Sequence, residues 1–288
     1  NSKKSFLVRL IRRVGLIRFK YINKYLIQFL KILLFLRVLF KYDVFIFSNG
    51  GSFMKYLDYK IIFLLKKKII VIFHGSDIRY PYSGTHSIHN NFDQCFALTR
   101  QRLKTIRKIE KYATFIINTP PQAVLCEKEF INFLYIGLPF SYSSENSKVN
   151  SIIINEKNNK IKILHAPSVP EVKGTDIILR TIEELKIEGY EIEFKMITKI
   201  PFSEVVECLE WCDFVIDQLY SDTPMPGLAT EAAYFGKPTI ICGYYAKYIK
   251  KDILIDFMPP SEYVEIENLK ESIVKLYSNG EYRCQLGK

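Results

Sequence analysis

Two segments in the second half of the chain combine glycine, a charged side chain and the start of a predicted helix. In the first, Lys173 and Gly174 follow a strand-like run and lead into a helical pattern. A cation and free backbone N–H groups at a helix N-terminus suit a phosphate. A solvated lysine beside a glycine turn has the same sequence, so both interpretations remain open at this point.

The second segment, residues 213–242, places a predicted strand, a loop rich in Pro and Gly, and a short helix in succession. Gly227, Leu228 and Ala229 begin this helix and would present their amides to an anion. Glu231 follows within about one helical turn, where its carboxylate can accept hydrogen bonds from the vicinal hydroxyls of a ribose. The alternative is that Glu231 only interacts favourably with the helix dipole.

Histidines are the next candidates. His165 ends a predicted strand, where a functional side chain and a buried packing histidine are both compatible with the sequence. His86 and His89, with Asp93 and Cys95, are residue types that bind metals. The His-x-x-His spacing in a polar loop is not diagnostic of a metal site, so we expect solvated histidines there.

These residues need a sheet to position them, and the chain shows strand-like and helical runs in alternation. Continuous β-branched and aromatic runs are typical of parallel strands that are buried on both faces. The predicted strands are Asp43–Phe47, Ile69–Phe73, Thr114–Asn118, Ile161–His165, Glu191–Ile197, Phe214–Asp217 and Pro238–Cys242. The predicted helices are Leu98–Tyr112, Gly174–Glu188, Pro201–Trp211 and 227–235. This alternation indicates an α/β fold, in which ligands bind at the carboxyl ends of the strands.

The length predicts two domains. At about 150 residues per domain, 288 residues suggest two α/β domains. Residues 141–160 are rich in Ser, Asn and Lys and form the predicted linker between domains at 1–140 and 161–288. The chain opens without Met and stops just after a helical stretch, so we expect a fragment with an incomplete N-terminal domain.

Residues 6–40 are basic and apolar at once. Leu26–Phe40 is too short and too charged to span a membrane, which leaves a buried helix or a basic amphipathic helix on an anionic membrane. The chain has 41 Lys and Arg against 30 Asp and Glu, a net charge of +11. This excess is compatible with an anionic partner or with compositional bias alone.

Other function classes find little support. No helix-turn-helix, zinc-finger or RNP-like pattern is present, so we expect no nucleic-acid partner. The six cysteines are scattered without a C-x-x-C pair, and nothing resembles a cleavable signal, which favours the cytoplasm.

Taken together, the motifs resemble those of retaining glycosyltransferases of the GT-B fold, most closely family 4, the group 1 type. The resemblance rests on Gly227-Leu228, Glu231-Ala232 and Gly236-Lys237-Pro238 between two strands, with Lys173-Gly174-Thr175-Asp176 at the start of the same domain. The first half adds residues 74–79, HGSDIR, after a strand. It covers residues 42–285 or so and implies two Rossmann-like domains that face each other across a cleft.

The resemblance also implies roles. Lys173 and Gly174 would lie at the donor diphosphate, to which Gly227, Leu228 and Ala229 offer backbone donors, while Glu231 holds the ribose. His74 would face the transferred sugar with Asp77 nearby, as the catalytic pair. The donor would be a nucleotide-sugar co-substrate, with neither metal nor other cofactor. The acceptor would be a glycan or a lipid-linked molecule of a bacterial surface polysaccharide, such as lipopolysaccharide or capsule, at the inner leaflet.

Three departures from the family pattern affect the donor site. A second glutamate commonly precedes the first by eight positions, where this chain has Thr223, with Asp222 beside it. The arginine that often precedes the lysine by five positions is replaced by Ser168. The glycine-rich loop after the first strand of the N-terminal domain has no clear match. These departures keep an alternative open: a protein of the same fold that does not transfer sugar, either an epimerase or hydrolase or an inactive nucleotide-sugar binder.

Overall fold

The computed structural model describes residues 20–75, 77–79, 81, 91–137, 160–254 and 257–287. The contacts group the chain into two compact units. The first contains the described residues of Asn1–Tyr80, Phe96–Asn118 and Ala123–Ile131. The second contains those of Pro81–Cys95, Thr119–Gln122 and Asn132–Lys288. Except for Lys160, the predicted linker at 141–160 lies outside the described residues.

The first unit holds a sheet in the order β1-β2-β3-β4, in which β1 pairs parallel with β2 and β2 with β3. Its strands are β1 (Val44–Ser48), β2 (Lys68–Ile72), β3 (Phe115–Asn118) and β4 (Ile131–Asn132). Its helices are α1 (Lys20–Leu39), α2 (Leu57–Leu64) and most of α3 (Phe92–Tyr112), whose first four residues belong to the second unit. The 3₁₀ helix after β3, Pro120–Leu125, begins in the second unit, and the one after β4, Phe133–Tyr135, lies wholly in the second unit.

One face of this sheet is well buried. Phe45 and Phe47 of β1 pack with Val71 of β2 in one core. The ring of Phe47 stacks on that of Tyr59 in α2, with 4.5 Å between the ring centroids. Helix α1 contributes Phe35 and Leu39 to the same core. Of the two alternatives for residues 26–40, the buried helix therefore applies to the side of α1 that carries Phe35 and Leu39.

The second unit holds a sheet in the order β6-β5-β7-β8-β9, with every neighbouring pair parallel. Its strands are β5 (Ile161–His165), β6 (Ile192–Met196), β7 (Phe214–Ile216), β8 (Thr239–Cys242) and β9 (Ser261–Val264). Its helices are α4 (Pro170–Lys173), α5 (Thr175–Ile187), α6 (Phe202–Trp211), α7 (Gly227–Tyr234), α8 (Ile249–Asp252), α9 (Leu269–Ser278) and α10 (Gly280–Leu286), with a 3₁₀ helix at Ile266–Asn268.

Both faces of the second sheet are covered. Alternate residues of β5 and β7 pack against α5 and α9 on one side and against α6 and α7 on the other. As a result every residue of β7 and β8 is buried. This is the arrangement that continuous apolar strands predict, and it leaves the loops after β5, β7 and β8 to form the carboxyl edge of the sheet.

Every predicted strand is present, within two residues of its predicted ends. The predictions omitted α2, β4, β9 and the short helices α4 and α8, and they gave no bounds for the helical stretch near the end that forms α9 and α10. Helix α3 begins earlier than the predicted Leu98, at Phe92. No helix among the described residues is long and apolar enough to cross a membrane.

Candidate functional site

Lys173 lies at the carboxyl edge of the second sheet. It is the last residue of the short helix α4 and precedes Gly174, the N-cap of α5, so Lys173 and Gly174 lead into a helix as predicted. Its ammonium donates to Oδ1 of Asp217 at 3.1 Å and to Oε1 of Gln218 at 2.5 Å. Asp217 directly follows β7 and is almost fully buried, so this pair fixes the lysine over the strand end.

Gly174 joins α4 to α5 in a conformation that requires glycine. Its φ is +73°, in the left-handed region. A Cβ at this position would lie 2.9 Å from the side chain of Leu219. The carbonyl oxygen of Lys173 accepts from the N–H of Leu219 at 3.1 Å. The loops after β5 and β7 are thereby held together at the site.

Helix α7 begins at Gly227 and presents open backbone N–H groups. The N–H of Thr230 donates to the carbonyl of Pro226 at 3.0 Å, which is the first bond of the helical ladder. The N–H groups of Gly227, Leu228 and Ala229 precede it and have no acceptor within the helix. A Cβ on Gly227 would meet nothing within 4 Å, so the space at this helix end is open to a ligand.

Glu231 lies half-buried in the same helix. Burial raises the pKa of its carboxyl group, and the charge of Asp217 raises it further. Asp217 therefore interacts with Glu231 as well as with Lys173. Lys173 thus pairs with Asp217 at the end of β7, and α7, which bears Glu231, packs against the same strand.

Asp217 is the functional candidate that sequence reasoning missed. Its Oδ2 is buried and has no hydrogen-bond partner among the described residues. The predicted strand Phe214–Asp217 includes this residue, whereas β7 ends at Ile216. Its place as the first residue after a parallel strand is the signal that could have identified it.

Asp222 and Thr223 are held within the loop after β7. Asp222 is buried, and its Oδ1 accepts from the side-chain amide of Gln122 at 3.0 Å. The N–H of Thr223 donates to Oγ of Ser221 at 3.2 Å, and its Oγ1 accepts from the N–H of Met225 at 3.3 Å. Both side chains thus support the loop conformation. Ser168, the third departure from the family pattern, is exposed in the loop after β5.

His165 is fully buried. Its Nδ1 lies 2.8 Å from the carbonyl oxygen of Ile216 and must donate to it, which leaves Nε2 to accept from the hydroxyl of Thr175 at 2.9 Å. Burial lowers the pKa of His165. The structure therefore assigns His165 to holding β5, β7 and α5 together, since both nitrogens are engaged.

We expect the second unit to lose stability when His165 is protonated. Because its pKa in the folded unit lies below the ordinary value of about 6.5, the unfolded chain binds more protons as the pH falls below that value. The loss reaches at most about 1.4 kcal/mol per pH unit. Urea unfolding followed by the fluorescence of Trp211 at pH 7.5 and 5.5 measures it. A His165→Gln variant with the same pH dependence would contradict this assignment.

His74 and Asp77 lie together in the first unit, at the end of β2. The exposed imidazole of His74 has Nε2 2.9 Å from Oγ of Ser48. The N–H of His74 donates to Oδ1 of Asp77 at 3.0 Å, and Asp77 Oδ2 is buried without a partner among the described residues. Asp77, Tyr56 and Arg102 line a cavity of about 280 Å³ behind this turn.

The described residues contain no group of three or more His, Cys, Asp and Glu side chains that could hold a metal ion. Of the four residues considered for a metal in the sequence, Asp93 lies in α3 and Cys95 is buried there. His86 and His89 lie outside the described residues.

No protein-family model matches the chain, and no curated protein is similar to it in sequence. Solved structures are similar in fold. The crystal structure of Anabaena HepE in complex with UDP-glucose matches with a TM-score of 0.50 at 13% identity, over 90% of this chain and 75% of that one. The structure of Anabaena HepE in complex with UDP matches with a TM-score of 0.50 at 12% identity, over 90% and 75%. With its two α/β sheets, the chain has a GT-B, glycosyltransferase-like fold, as predicted.

Proposed function

We propose that the chain is a glycosyltransferase that moves a sugar from a nucleotide-sugar donor to a glycan or lipid-linked acceptor. One arrangement carries this proposal: Lys173 pairs with Asp217 just after β7, and helix α7, which bears Glu231 and the open amides, packs against the same strand. A cation, N–H donors and a carboxylate at one strand end suit a diphosphate linked to a ribose. The similarity in fold to HepE, solved with UDP and with UDP-glucose, supports a nucleotide-sugar donor.

In this proposal the second unit stabilises the leaving group. Negative charge develops on the nucleoside diphosphate as its bond to the sugar breaks. The ammonium of Lys173 and the N–H groups of Gly227, Leu228 and Ala229 are fixed donors for that charge, so they stabilise the transition state. Because a lysine supplies the cation, we propose transfer without a metal. Retention of the anomeric configuration is proposed from the motif resemblance alone.

The first unit supplies the proposed catalytic pair. His74 is exposed, and Ser48 orients its ring while Asp77 holds its backbone. A polar side chain fixed in this way can position the hydroxyls of a transferred sugar or an acceptor. We place the acceptor in bacterial surface polysaccharide synthesis, as in lipopolysaccharide or capsule, on the cytoplasmic side of the membrane.

We expect Glu231 to bind the ribose and, because its ionised carboxylate is half-buried, to lower the stability of the second unit. Glu231→Gln should weaken donor binding about tenfold to a hundredfold, because hydrogen bonds to a charged group contribute about 1.5–3 kcal/mol. The same change should stabilise the second unit at pH 7, since a raised carboxyl pKa means that ionisation opposes folding. Calorimetric titration and thermal unfolding test the two effects. The gain in stability should vanish below about pH 4.5, near the ordinary carboxyl pKa. Unchanged donor affinity would refute the ribose role.

The test of the function is a thermal-shift screen of UDP-, GDP-, ADP- and CMP-sugars, because a ligand of the folded state stabilises it by mass action. Sugars that stabilise the protein are then incubated with membrane extracts as an acceptor pool, and nucleoside diphosphate release is measured. Stabilisation with acceptor-dependent release supports the transferase. Binding without transfer supports the alternative, a non-transferring epimerase, hydrolase or binder, for which Thr223 and Ser168 are the motivation. Absence of any stabilisation would refute a nucleotide-sugar site.

A further inference from the structure

Helix α1 carries an apolar stripe on the side away from the core. The stripe consists of large apolar side chains that are between 39% and 80% exposed: Leu26, Phe29, Leu33, Leu36 and Phe40. Their spacing of three and four residues places them on one face, and Phe40 directly follows the helix. Phe35 and Leu39 of the same helix are buried in the core of the first unit. The helix is thus apolar on two sides, only one of which the described residues cover.

The charged residues in the sequence of α1 are all basic. Arg37 is exposed on α1 and Lys41 is exposed just after it, whereas the exposed Lys31 lies on the opposite side of the helix from the stripe. Arg37 follows Leu33 by four residues and so lies beside the stripe. The first acidic residue in the whole sequence is Asp43. An occupant of this face must therefore accept apolar side chains and tolerate a concentration of positive charge.

The need to bury apolar side chains and to accept positive charge distinguishes between three possible binding partners of this face: a second copy of the chain, a nucleic acid and a lipid bilayer. A second copy of the chain would satisfy the apolar stripe but would bring like charges together, which costs free energy. A nucleic acid would satisfy the charges but not five exposed apolar side chains. An anionic bilayer satisfies both, because the stripe can enter the acyl boundary while lysine and arginine stay at the phosphate headgroups. The helix lies on such a surface rather than across it.

We infer that the outer stripe of α1 docks the protein on an anionic phospholipid bilayer. The inference does not depend on the proposed function, because it uses only the apolar and basic residues of α1. It adds to that function a reason for a lipid-linked acceptor: docking would hold the first unit at the surface in which such an acceptor is anchored.

The test is co-sedimentation of the 288-residue chain with vesicles of phosphatidylcholine, with or without phosphatidylglycerol. We expect binding to the anionic vesicles that weakens with salt. The double variant Phe29→Glu, Leu33→Glu should bind at least about tenfold more weakly, since both side chains leave the bilayer. Arg37→Gln should bind about fivefold more weakly, as expected for one basic residue at an anionic surface.

Ile187→Glu is the matched control, because Ile187 is 86% exposed in α5 of the second unit. It should bind vesicles like the wild type. Equal binding of wild type to neutral and anionic vesicles, or an equal loss in the control, would overturn the inference. So would a lower unfolding temperature in the double variant, which would show that the stripe is covered in the folded protein. A solution dimer that the double variant dissociates would assign the stripe to a second copy instead.

Discussion

Replacing Lys173 with Met should reduce donor affinity by about tenfold to a hundredfold and turnover by about a hundredfold or more. The substitution removes the cation that faces the diphosphate in the proposed site. It should also destabilise the second unit by about 3 kcal/mol, because Asp217 stays buried without its partner. Calorimetry with the stabilising nucleotide sugar, diphosphate release and urea unfolding measure the three effects.

A second variant separates binding from folding. Lys173→Met combined with Asp217→Asn removes both charges, so we expect most of the lost stability to return. Donor affinity and turnover should stay low, because the cation is still missing. Lys186→Met is a control for lysine removal, since Lys186 pairs with Glu183 on an exposed helix face and such pairs contribute little.

The double variant also shows whether Lys173 binds the donor directly or only stabilises the fold. If Lys173 affected donor binding only by stabilising the second unit, the double variant, which regains stability, would also regain donor binding. That result would remove the lysine from the proposed diphosphate site, whatever the single variant showed.

Replacing Gly243 with Ala should destabilise the second unit by about 3 kcal/mol. The added Cβ would lie 1.8 Å from the carbonyl oxygen of Ser221 and 2.8 Å from the hydroxyl of Tyr263. That hydroxyl donates to the same carbonyl at 2.8 Å, so the contact cannot yield without breaking a buried hydrogen bond. Urea unfolding followed by Trp211 fluorescence measures the loss.

We expect donor binding by Gly243→Ala to weaken as well, because Ser221 lies in the loop that leads from β7 to α7. Gly227→Ala makes the same chemical change in open space, and its stability should equal or exceed that of the wild type. Its donor affinity should nevertheless fall, since the new methyl group occupies space beside the proposed diphosphate. Equal stability of the two glycine variants would show that the close approach of Gly243 to Ser221 is relaxed in solution.

The sequence was sufficient for seven of the nine strands in the described residues, because their signal is local. A parallel strand that is covered on both faces requires an apolar run, and such runs occur at Ile161–His165 and Phe214–Ile216. These runs are assigned to strands whichever register pairs them with their neighbours. The short elements β4 and α8 were missed, because two to four residues carry too little periodicity to be distinguished from a loop.

In the candidate site, too, the sequence identified residues with a local signal and missed those whose role depends on distant contacts. Lys173 and Glu231 were identified from glycine-containing helix starts, a pattern of neighbours in sequence. Asp217 could not be ranked, because its importance depends on residues 44 positions before it and 14 after it meeting at the end of β7. The sequence around His165 is compatible with a functional side chain and with a buried packing histidine. Its hydrogen bonds to the carbonyl of Ile216 and the hydroxyl of Thr175, which only the tertiary structure shows, decide for the packing role.

By itself, the sequence determined the α/β alternation, the strands and the glycine-containing helix starts, since these depend on residue types within a few positions of each other. The tertiary structure alone decided which charges share a strand end, which polar groups are buried, and which side of α1 the described residues leave uncovered. Those properties depend on contacts between segments far apart in the chain, and a charge gains or loses its chemical role according to the neighbours and burial that folding gives it.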